Sequence, residues 1–227
     1  MSAAVTVPAV VEGVRAPQQG RSEATLRAMV AAGRALINAS GSLTGFSLAD
    51  LTRAASTSVG SFYTRFRDKE TFCAVVLEHT LAEIRANLDA EMAHDPVWRE
   101  GPARAVSARV VGFYVETFRA NGGLLAAHMR HASAGSPLWH PIRDANQRLL
   151  DAMVPCLAGH VRAERDDWSD DEVRTAIRLV LSVLASVALD MPPGLHLHDP
   201  ALERRLVAML DRYLAGPADV AGGNLQT

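Results

Sequence analysis

One stretch, residues 47–70, constrains the fold of this 227-residue chain more than any other. It reads SLADLTRAASTSVGSFYTRFRDKE. Ser47 is a good N-cap, and Asp50 stands three residues later, where the partner in a capping box belongs. Ser58 can cap a second short helix over residues 59–66. The spacing of the apolar residues supports both helices, so the stretch predicts a helix, a tight turn and a second helix.

The outward face of the second helix has an unusual composition. It carries Ser61, Tyr63, Thr64 and Arg65, and no acidic residue follows until Asp68. Hydroxyl groups, tyrosine and arginine are the side chains that bind phosphate oxygens and base edges of DNA. The pattern favours a helix-turn-helix whose second helix enters the major groove. A solvated helical hairpin within an all-α core is the alternative.

The segment from Arg21 to His79 resembles the DNA-binding domain of the tetracycline-repressor-like (TetR) family of bacterial one-component regulators. The resemblance is a dense, ordered pattern of glycine, aromatic and charged positions. The residues that carry it are Gly45-Phe46 before Ser47, then Val59-Gly60-Ser61-Phe62-Tyr63, Phe66 and Asp68-Lys69-Glu70.

The resemblance and the helical periodicity together predict an all-α chain of about nine helices, with a three-helix DNA-binding head and a helical body. The expected parts are a flexible arm (1–20), a helix-turn-helix DNA-binding domain (21–67), a ligand-binding and dimerisation domain (68–215) and a flexible tail (216–227). The resemblance implies a dimeric regulator, usually a repressor, that a small apolar or aromatic molecule releases from a palindromic operator. In such a dimer, ligand binding tilts the fourth helix and changes the separation of the recognition helices.

Two positions depart from the family pattern. The turn between the two helices usually carries glycine, and here it carries Ser56. Glycine enters left-handed conformations without steric cost, whereas serine does so at some cost. A lysine or arginine often opens the recognition helix, and here it is Val59, which removes one expected phosphate contact.

The expected DNA contacts come from the turn, the recognition helix and the starts of the neighbouring helices. They are Ser47, Thr57, Ser58, Ser61, Tyr63, Thr64, Arg65 and Lys69. Ser47 and Lys69 are expected on phosphates.

The body is predicted from helical periodicity and breaker residues. Residues 102–120 and 124–132 are expected to form two helices with a turn at Asn121-Gly122-Gly123. Pro96 argues against a helix that runs through residues 94–98, and Pro155 should kink or break the seventh helix. The stretch after Ile177 is apolar nearly all round, which requires cover on every side. The helices at 170–191 and 200–215 are therefore expected to form a homodimer interface, as in the family.

Aromatic and polarisable residues of the middle helices are the candidates for an effector pocket, with Tyr114 and His128 as polar anchors. The candidates are Phe113, Tyr114, Phe118, His128, Met129, Trp139, Met153 and Cys156. Ordinary core packing is the competing interpretation of each of them.

Charge, cysteine spacing and targeting signals limit which partners and which cellular location we expect for the protein. Residues 21–80 hold seven basic and five acidic residues in a chain whose net charge is −2, so a mildly basic head joins an acidic body. Cys73 and Cys156 have no metal-binding or disulfide spacing. The start of the chain lacks a basic secretory signal, and the most apolar stretch is too short to span a membrane. We expect a cytoplasmic protein without a membrane partner.

No catalytic signature is present, so neither an enzyme nor a cofactor or metal is expected. Two alternatives stay open. The first is a metal-binding protein or enzyme that uses the histidines His128, His131 and His140, or His196 and His198. The second is a helical partner-binding protein that has lost DNA binding.

Overall fold

The computed structural model describes residues 20–131, 140–164, 168–191 and 194–216. Within these ranges the chain forms nine helices and no β-strand, which confirms the predicted all-α class. The helices are α1 Gly20–Ser40, α2 Leu48–Ala54, α3 Val59–Tyr63, α4 Lys69–His94, α5 Val97–Glu100, α6 Ala103–His131, α7 His140–Glu164, α8 Asp170–Ala188 and α9 Pro200–Leu214. None of the described helices has both the length and the apolar character needed to cross a membrane.

The chain divides into two compact units. The first comprises Met1–Asn87 and Asn121–Asn146, and the second comprises Leu88–Ala120 and Gln147–Thr227. The predicted boundary at residues 67 and 68 stays a prediction, since it concerns functional domains.

The caps that the sequence marks are present in the first three helices of unit 1, but α3 ends at Tyr63 and not at residue 66 as predicted. α1 is followed by Gly41 with a φ of 60°, the left-handed conformation of a helix C-cap. α2 has the full capping box between Ser47 and Asp50. α3 begins after Ser58, whose side chain accepts a hydrogen bond from the Ser61 amide. These caps satisfy backbone groups that short helices leave unpaired.

Four phenylalanines fill the core of the head. Phe62, Phe66 and Phe72 are fully buried, with ring centroids 5.0–5.5 Å apart. Phe46 packs edge-on against Phe72 at 6.5 Å. A Cβ atom at Gly33 of α1 would lie 2.4 Å from the Phe72 ring, so only glycine fits there. The cluster holds α1, α3 and the start of α4 together.

The predicted turn at residues 121–123 is wrong, because α6 continues through it. Glycine is unfavourable inside a helix, but a Cβ at Gly123 would lie 2.0 Å from the Asn38 carbonyl oxygen. The Asn38 side chain also accepts a hydrogen bond from the Leu124 amide at 3.1 Å. Close backbone packing against α1, within unit 1, therefore explains a glycine that looked like a helix breaker.

Polar contacts extend the packing of α1 on the 121–131 segment of α6. Arg34 donates two hydrogen bonds to the Asn121 side chain, at 2.7 and 3.1 Å, and pairs with Glu83. Arg130 donates to the Gly41 carbonyl at 2.9 Å. The last turns of α1 thus have partners on two other helices of unit 1.

No helix runs through Pro96, as predicted: α4 ends at His94 and the one-turn helix α5 begins at Val97. Pro96 immediately precedes α5, where its fixed φ suits a helix start. Pro155 lies inside α7, which runs from His140 to Glu164 without a break.

In unit 2, α8 and α9 pack through apolar stripes and share polar links with their neighbours. Arg119 binds both Glu203 and the Leu197 carbonyl, and Tyr213 donates to Glu172 at 3.3 Å. The buried side of α8 holds Val173, Ala176, Ile177, Val180, Leu184 and Val187. Its outward side is not fully polar, since Leu179 is 44% exposed.

Several expectations fall outside the described residues. They are the flexible arm (1–20, of which only Gly20 is described), the tail beyond Gly216, Trp139 and the loop at residues 134–137.

Ser56 adopts the left-handed conformation that the sequence predicted at a cost, with a φ of 49°. Ser56→Gly should raise the free energy of unfolding by about 0.5–1 kcal/mol, since glycine has no steric penalty at positive φ. Urea unfolding followed by circular dichroism measures the change.

The control is Ala35→Gly, at an exposed position inside α1. There glycine should lower stability by about 1 kcal/mol. A loss of stability in both variants would show that Ser56 is not strained.

Candidate functional site

α3 is a five-residue helix with one face in the head core and one face outside. Phe62 is completely buried, while Tyr63 is 58% exposed. Helices this short are unstable alone, so the buried phenylalanine and the Ser58 cap hold α3 in place. The core therefore sets the orientation of every side chain on the outer face.

Three of the predicted DNA contacts have hydroxyl groups that are free to donate. The Thr57 and Tyr63 hydroxyls have no hydrogen-bond partner in the described part of the chain. The Ser61 hydroxyl accepts from Ser58 at 3.2 Å, which leaves its own hydrogen available. These three side chains can donate to phosphates or bases without breaking an internal bond.

Three other predicted contacts have internal roles as well. The Ser47 hydroxyl donates to Asp50 at 2.6 Å and accepts from the Asp50 amide at 3.1 Å. The Ser58 hydroxyl caps α3, and the Thr64 hydroxyl donates to the Gly60 carbonyl at 2.9 Å. Donation to DNA by these groups would need an exchange of partners.

The two predicted cationic contacts are also engaged. Arg65 is half-buried and donates to both the carbonyl and the hydroxyl oxygen of Ser22, at 2.9 and 2.7 Å, across 43 residues of sequence. Lys69 donates to the Phe46 carbonyl, and its ammonium group lies 3.9 Å from the centre of the Phe46 ring. Both side chains tie elements of the head together.

The acidic residues near α3 are neutralised by neighbours. Hydrogen bonds from Ser47, followed by Arg53, lower the pKa of Asp50. The Thr71 backbone amide and then Arg67 hold the pKa of Asp68 at about 2. Both carboxylates stay ionised with their partners, so neither places a free negative charge beside α3.

The predicted DNA contacts do not include three exposed residues on this surface. Val59 is 44% exposed and opens α3, next to the exposed Gly60. The Arg53 side chain, at the end of α2, is 76% exposed although it pairs with Asp50. The helical spacing of Val59 and Tyr63, four residues apart, places them on one side of α3 and was the available signal.

Five predicted effector residues lie in unit 2. Phe113, Tyr114 and Phe118 of α6 are buried, as is Met153 of α7, and Cys156 is half-buried. The Phe113 and Tyr114 rings meet edge-to-face at 5.6 Å.

The buried Tyr114 hydroxyl has no hydrogen-bond partner among the described residues. Burial raises the pKa of Tyr114, so it remains a neutral donor. Buried hydroxyl groups are normally paired, which makes this one a candidate ligand contact.

His128 and Met129 belong to unit 1. His128 is fully buried, its Nδ1 donates to the Leu124 carbonyl at 2.9 Å, and Nε2 lacks a partner in the described ranges. Burial lowers the pKa of His128 against the weaker opposite effect of the Leu124 carbonyl, which keeps the ring neutral. Trp139 lies outside the described residues.

The histidines predicted as alternative metal ligands form no such site where the structure can be read. No three His, Cys, Asp or Glu side chains gather closely enough to hold a metal ion within the described ranges. The thiol of Cys73 is buried, which raises its pKa to about 11 and leaves it protonated.

No family model and no curated protein sequence matches the chain. Solved structures do. A putative TetR-family transcriptional regulator from Mesorhizobium loti has a TM-score of 0.63 and 17% identity, over 87% of this chain and 98% of that one. The transcriptional regulator FadR from Bacillus subtilis, solved with stearoyl-CoA, has a TM-score of 0.56 and 12% identity, over 83% and 95%.

GusR from Salmonella enterica has a TM-score of 0.50 and 16% identity, over 84% of this chain and 95% of that chain. The likeness extends over the body as well as the head, whereas the sequence motif lies in the head alone. The chain therefore has the fold of the TetR-family transcriptional regulators, as the sequence resemblance predicted.

Proposed function

We propose that this protein is a homodimeric transcriptional regulator that binds operator DNA and is released by a small effector. The observation that carries the proposal is the outer face of α3. It presents the Ser61 and Tyr63 hydroxyls, which can donate, next to the Thr57 hydroxyl of the preceding turn. It holds no acidic residue, and the buried Phe62 fixes its orientation. A rigid short helix with donors facing outward suits the major groove. Such a protein acts in the cytoplasm, where its DNA is.

The cations of the head have different roles in this proposal. Arg65 and Lys69 bind Ser22 and Phe46 in the free protein, and we assign them to positioning α3 and α4 first. Arg53 and Arg67 are the exposed cations that flank α3, with side chains 76% and 71% exposed. Their surface ion pairs are weak and can be exchanged for phosphates.

Dimerisation through α8 and α9 supplies the second recognition helix. Leu179 is exposed on α8 beside Thr175 and Ser182, small side chains that permit another helix to approach. Two recognition helices must reach major grooves about 34–36 Å apart, or a multiple of that distance. A symmetric dimer accordingly calls for a palindromic operator.

The effector site is proposed around Tyr114 in unit 2. The Phe113 ring packs edge-to-face on Tyr114, and Phe118 and Met153 are further buried apolar residues of the same unit. The Tyr114 hydroxyl is a donor without a partner among the described residues, which a ligand acceptor would satisfy. An apolar or aromatic molecule with one acceptor group fits this chemistry. To release DNA it must favour the off-DNA state by about 1–3 kcal/mol or more. We propose α4 as the element whose tilt carries the signal.

Fluorescence anisotropy with DNA from upstream of the protein's own gene tests the proposal. We expect saturable nanomolar binding, two subunits per site, and an affinity that falls at least tenfold between about 50 and 200 mM salt, because phosphate contacts release counterions. Tyr63→Phe should weaken binding by about tenfold or more, since one hydrogen bond to a charged group contributes about 1.5–3 kcal/mol.

Tyr213→Phe is the matched control, since Tyr213 binds Glu172 in unit 2. It should leave DNA affinity unchanged. Weak binding of equal strength to every duplex would contradict the regulator function and favour the partner-binding alternative.

Tyr114→Phe should raise the free energy of unfolding by about 1 kcal/mol, because it removes a buried donor without a partner. Thermal and urea unfolding of the ligand-free protein measure the change. A loss of about 1 kcal/mol or more would show instead that the hydroxyl is paired in the ligand-free protein and is not waiting for a ligand.

Leu179→Glu should convert the dimer to a monomer at micromolar concentration, since it places a charge on the apolar outer side of α8. Sedimentation velocity measures the mass. Ala82→Glu, at an exposed site of α4, is the control and should remain dimeric. A Leu179→Glu protein that stays dimeric would move the interface away from α8.

A further inference from the structure

Val59 is an apolar side chain on a surface that otherwise offers hydroxyl groups. It is the first residue of α3 and is 44% exposed. The polar neighbours that bracket it are Thr57, Ser58 and Ser61. A single exposed valine needs no explanation on an ordinary surface. At the leading end of a recognition helix, however, it occupies the position closest to what that helix binds.

Gly60, the next residue, has no internal reason to be glycine. Its φ is not positive, and a Cβ there would meet only the Ser58 hydroxyl oxygen, at an ordinary 3.7 Å. Gly33 and Gly123 differ, because Cβ atoms there would lie 2.4 and 2.0 Å from other atoms of unit 1. Glycine inside a helix costs about 0.8–1 kcal/mol relative to alanine. The chain carries this cost in its shortest DNA-facing helix without any gain in packing.

A partner that approaches the backbone closely would account for Gly60. Bare backbone at a helix surface allows such an approach, as glycine does wherever a ligand must come near. Together the Val59 methyl groups and the Gly60 backbone form an exposed apolar step at the start of α3. The Gly60 carbonyl accepts hydrogen bonds from both the Thr64 amide, at 3.0 Å, and the Thr64 hydroxyl, at 2.9 Å.

We propose that Val59 and Gly60 read the C5-methyl group of a thymine in the operator. The inference rests on the proposed DNA-binding function and names one base contact within it. The thymine methyl is the apolar group that the major groove displays, and apolar side chains recognise it by contact. Valine has neither donor nor acceptor, so the methyl group is what it can distinguish. Gly60 lets the helix come close enough for this contact.

Duplex DNA is the occupant that the surroundings favour over another protein. Hydroxyl donors on Ser61 and Tyr63 flank the step, and both nearby carboxylates, Asp50 and Asp68, are engaged by internal partners. A surface of donors without free acid suits an acceptor-rich polyanion. In this arrangement the hydroxyls hold the backbone and base acceptors while Val59 supplies base discrimination.

The experiment uses the full-length protein and the duplex that it selects from a random-sequence pool. Each thymine of one half-site is then replaced in turn by deoxyuridine, which removes only the C5-methyl group. We expect one replacement to weaken binding about three- to fivefold, the effect of one buried methyl group. In Val59→Ala the same replacement should change affinity less than about 1.5-fold, since the coupling between the two groups is gone.

Gly60→Ala provides a second, opposite test. It should fold with equal or greater stability, because alanine favours the helix and its Cβ has room, yet bind the selected duplex at least tenfold more weakly. Gly159→Ala is the matched control: a Cβ on this α7 residue meets nothing within 4 Å, so stability should rise and DNA affinity should not change.

The outcomes separate the inference from the function on which it rests. If no duplex is selected above the starting pool, the proposed DNA-binding function fails. Suppose instead that a duplex is selected, but every deoxyuridine replacement is neutral, or Val59→Ala keeps the full methyl effect. The thymine contact is then overturned while the regulator function stands. Wild-type affinity in Gly60→Ala would overturn the close approach of α3.

Discussion

The head depends on three phenylalanine rings that pack against α1 at a position where α1 has a glycine and therefore no side chain. Phe62 and Phe66 come from the α3 segment and Phe72 from α4, and the ring of Phe72 occupies the space where Gly33 lacks a Cβ. α3 itself has only one turn of hydrogen bonds and would not persist alone. Because the buried rings stabilise α3, its outer face can carry side chains that are suited to binding and are not needed for folding.

Two cations of the same segment also make internal contacts that hold the head together. Arg65 binds Ser22 at the start of α1, and Lys69 closes on Phe46 before α2. Arg65 thereby ties the segment after α3 to α1, and Lys69 ties the start of α4 to the segment before α2. A guanidinium group held by two hydrogen bonds orients a short helix better than a guanidinium group that moves freely in solvent. The exposed cations Arg53 and Arg67 flank α3 and do not lie on it, so α3 itself presents hydroxyl and methyl groups.

The sequence predicted the parts of the fold that depend on neighbours in the chain. The capping box at Ser47, the cap at Ser58 and the left-handed Ser56 are all set by residues within a few positions. It failed at Gly123, where a local signal for a turn is overridden by the Asn38 backbone, 85 positions away in the chain. In the site, residue types indicate which side chains can donate, but the partner of Arg65 lies 43 residues away and has no local signature.

The glycines of this chain have different structural roles, which the sequence alone does not distinguish. Gly41 serves a helix end through a positive φ, and Gly33 and Gly123 permit internal packing. Gly60 meets neither requirement, and its cost in helix stability has no return within the chain. A residue that destabilises its own helix, without an internal contact that offsets the cost, is expected at a surface that binds a partner. The cost at Gly60 therefore supports the proposed binding surface at the start of α3, independently of the hydroxyl groups there.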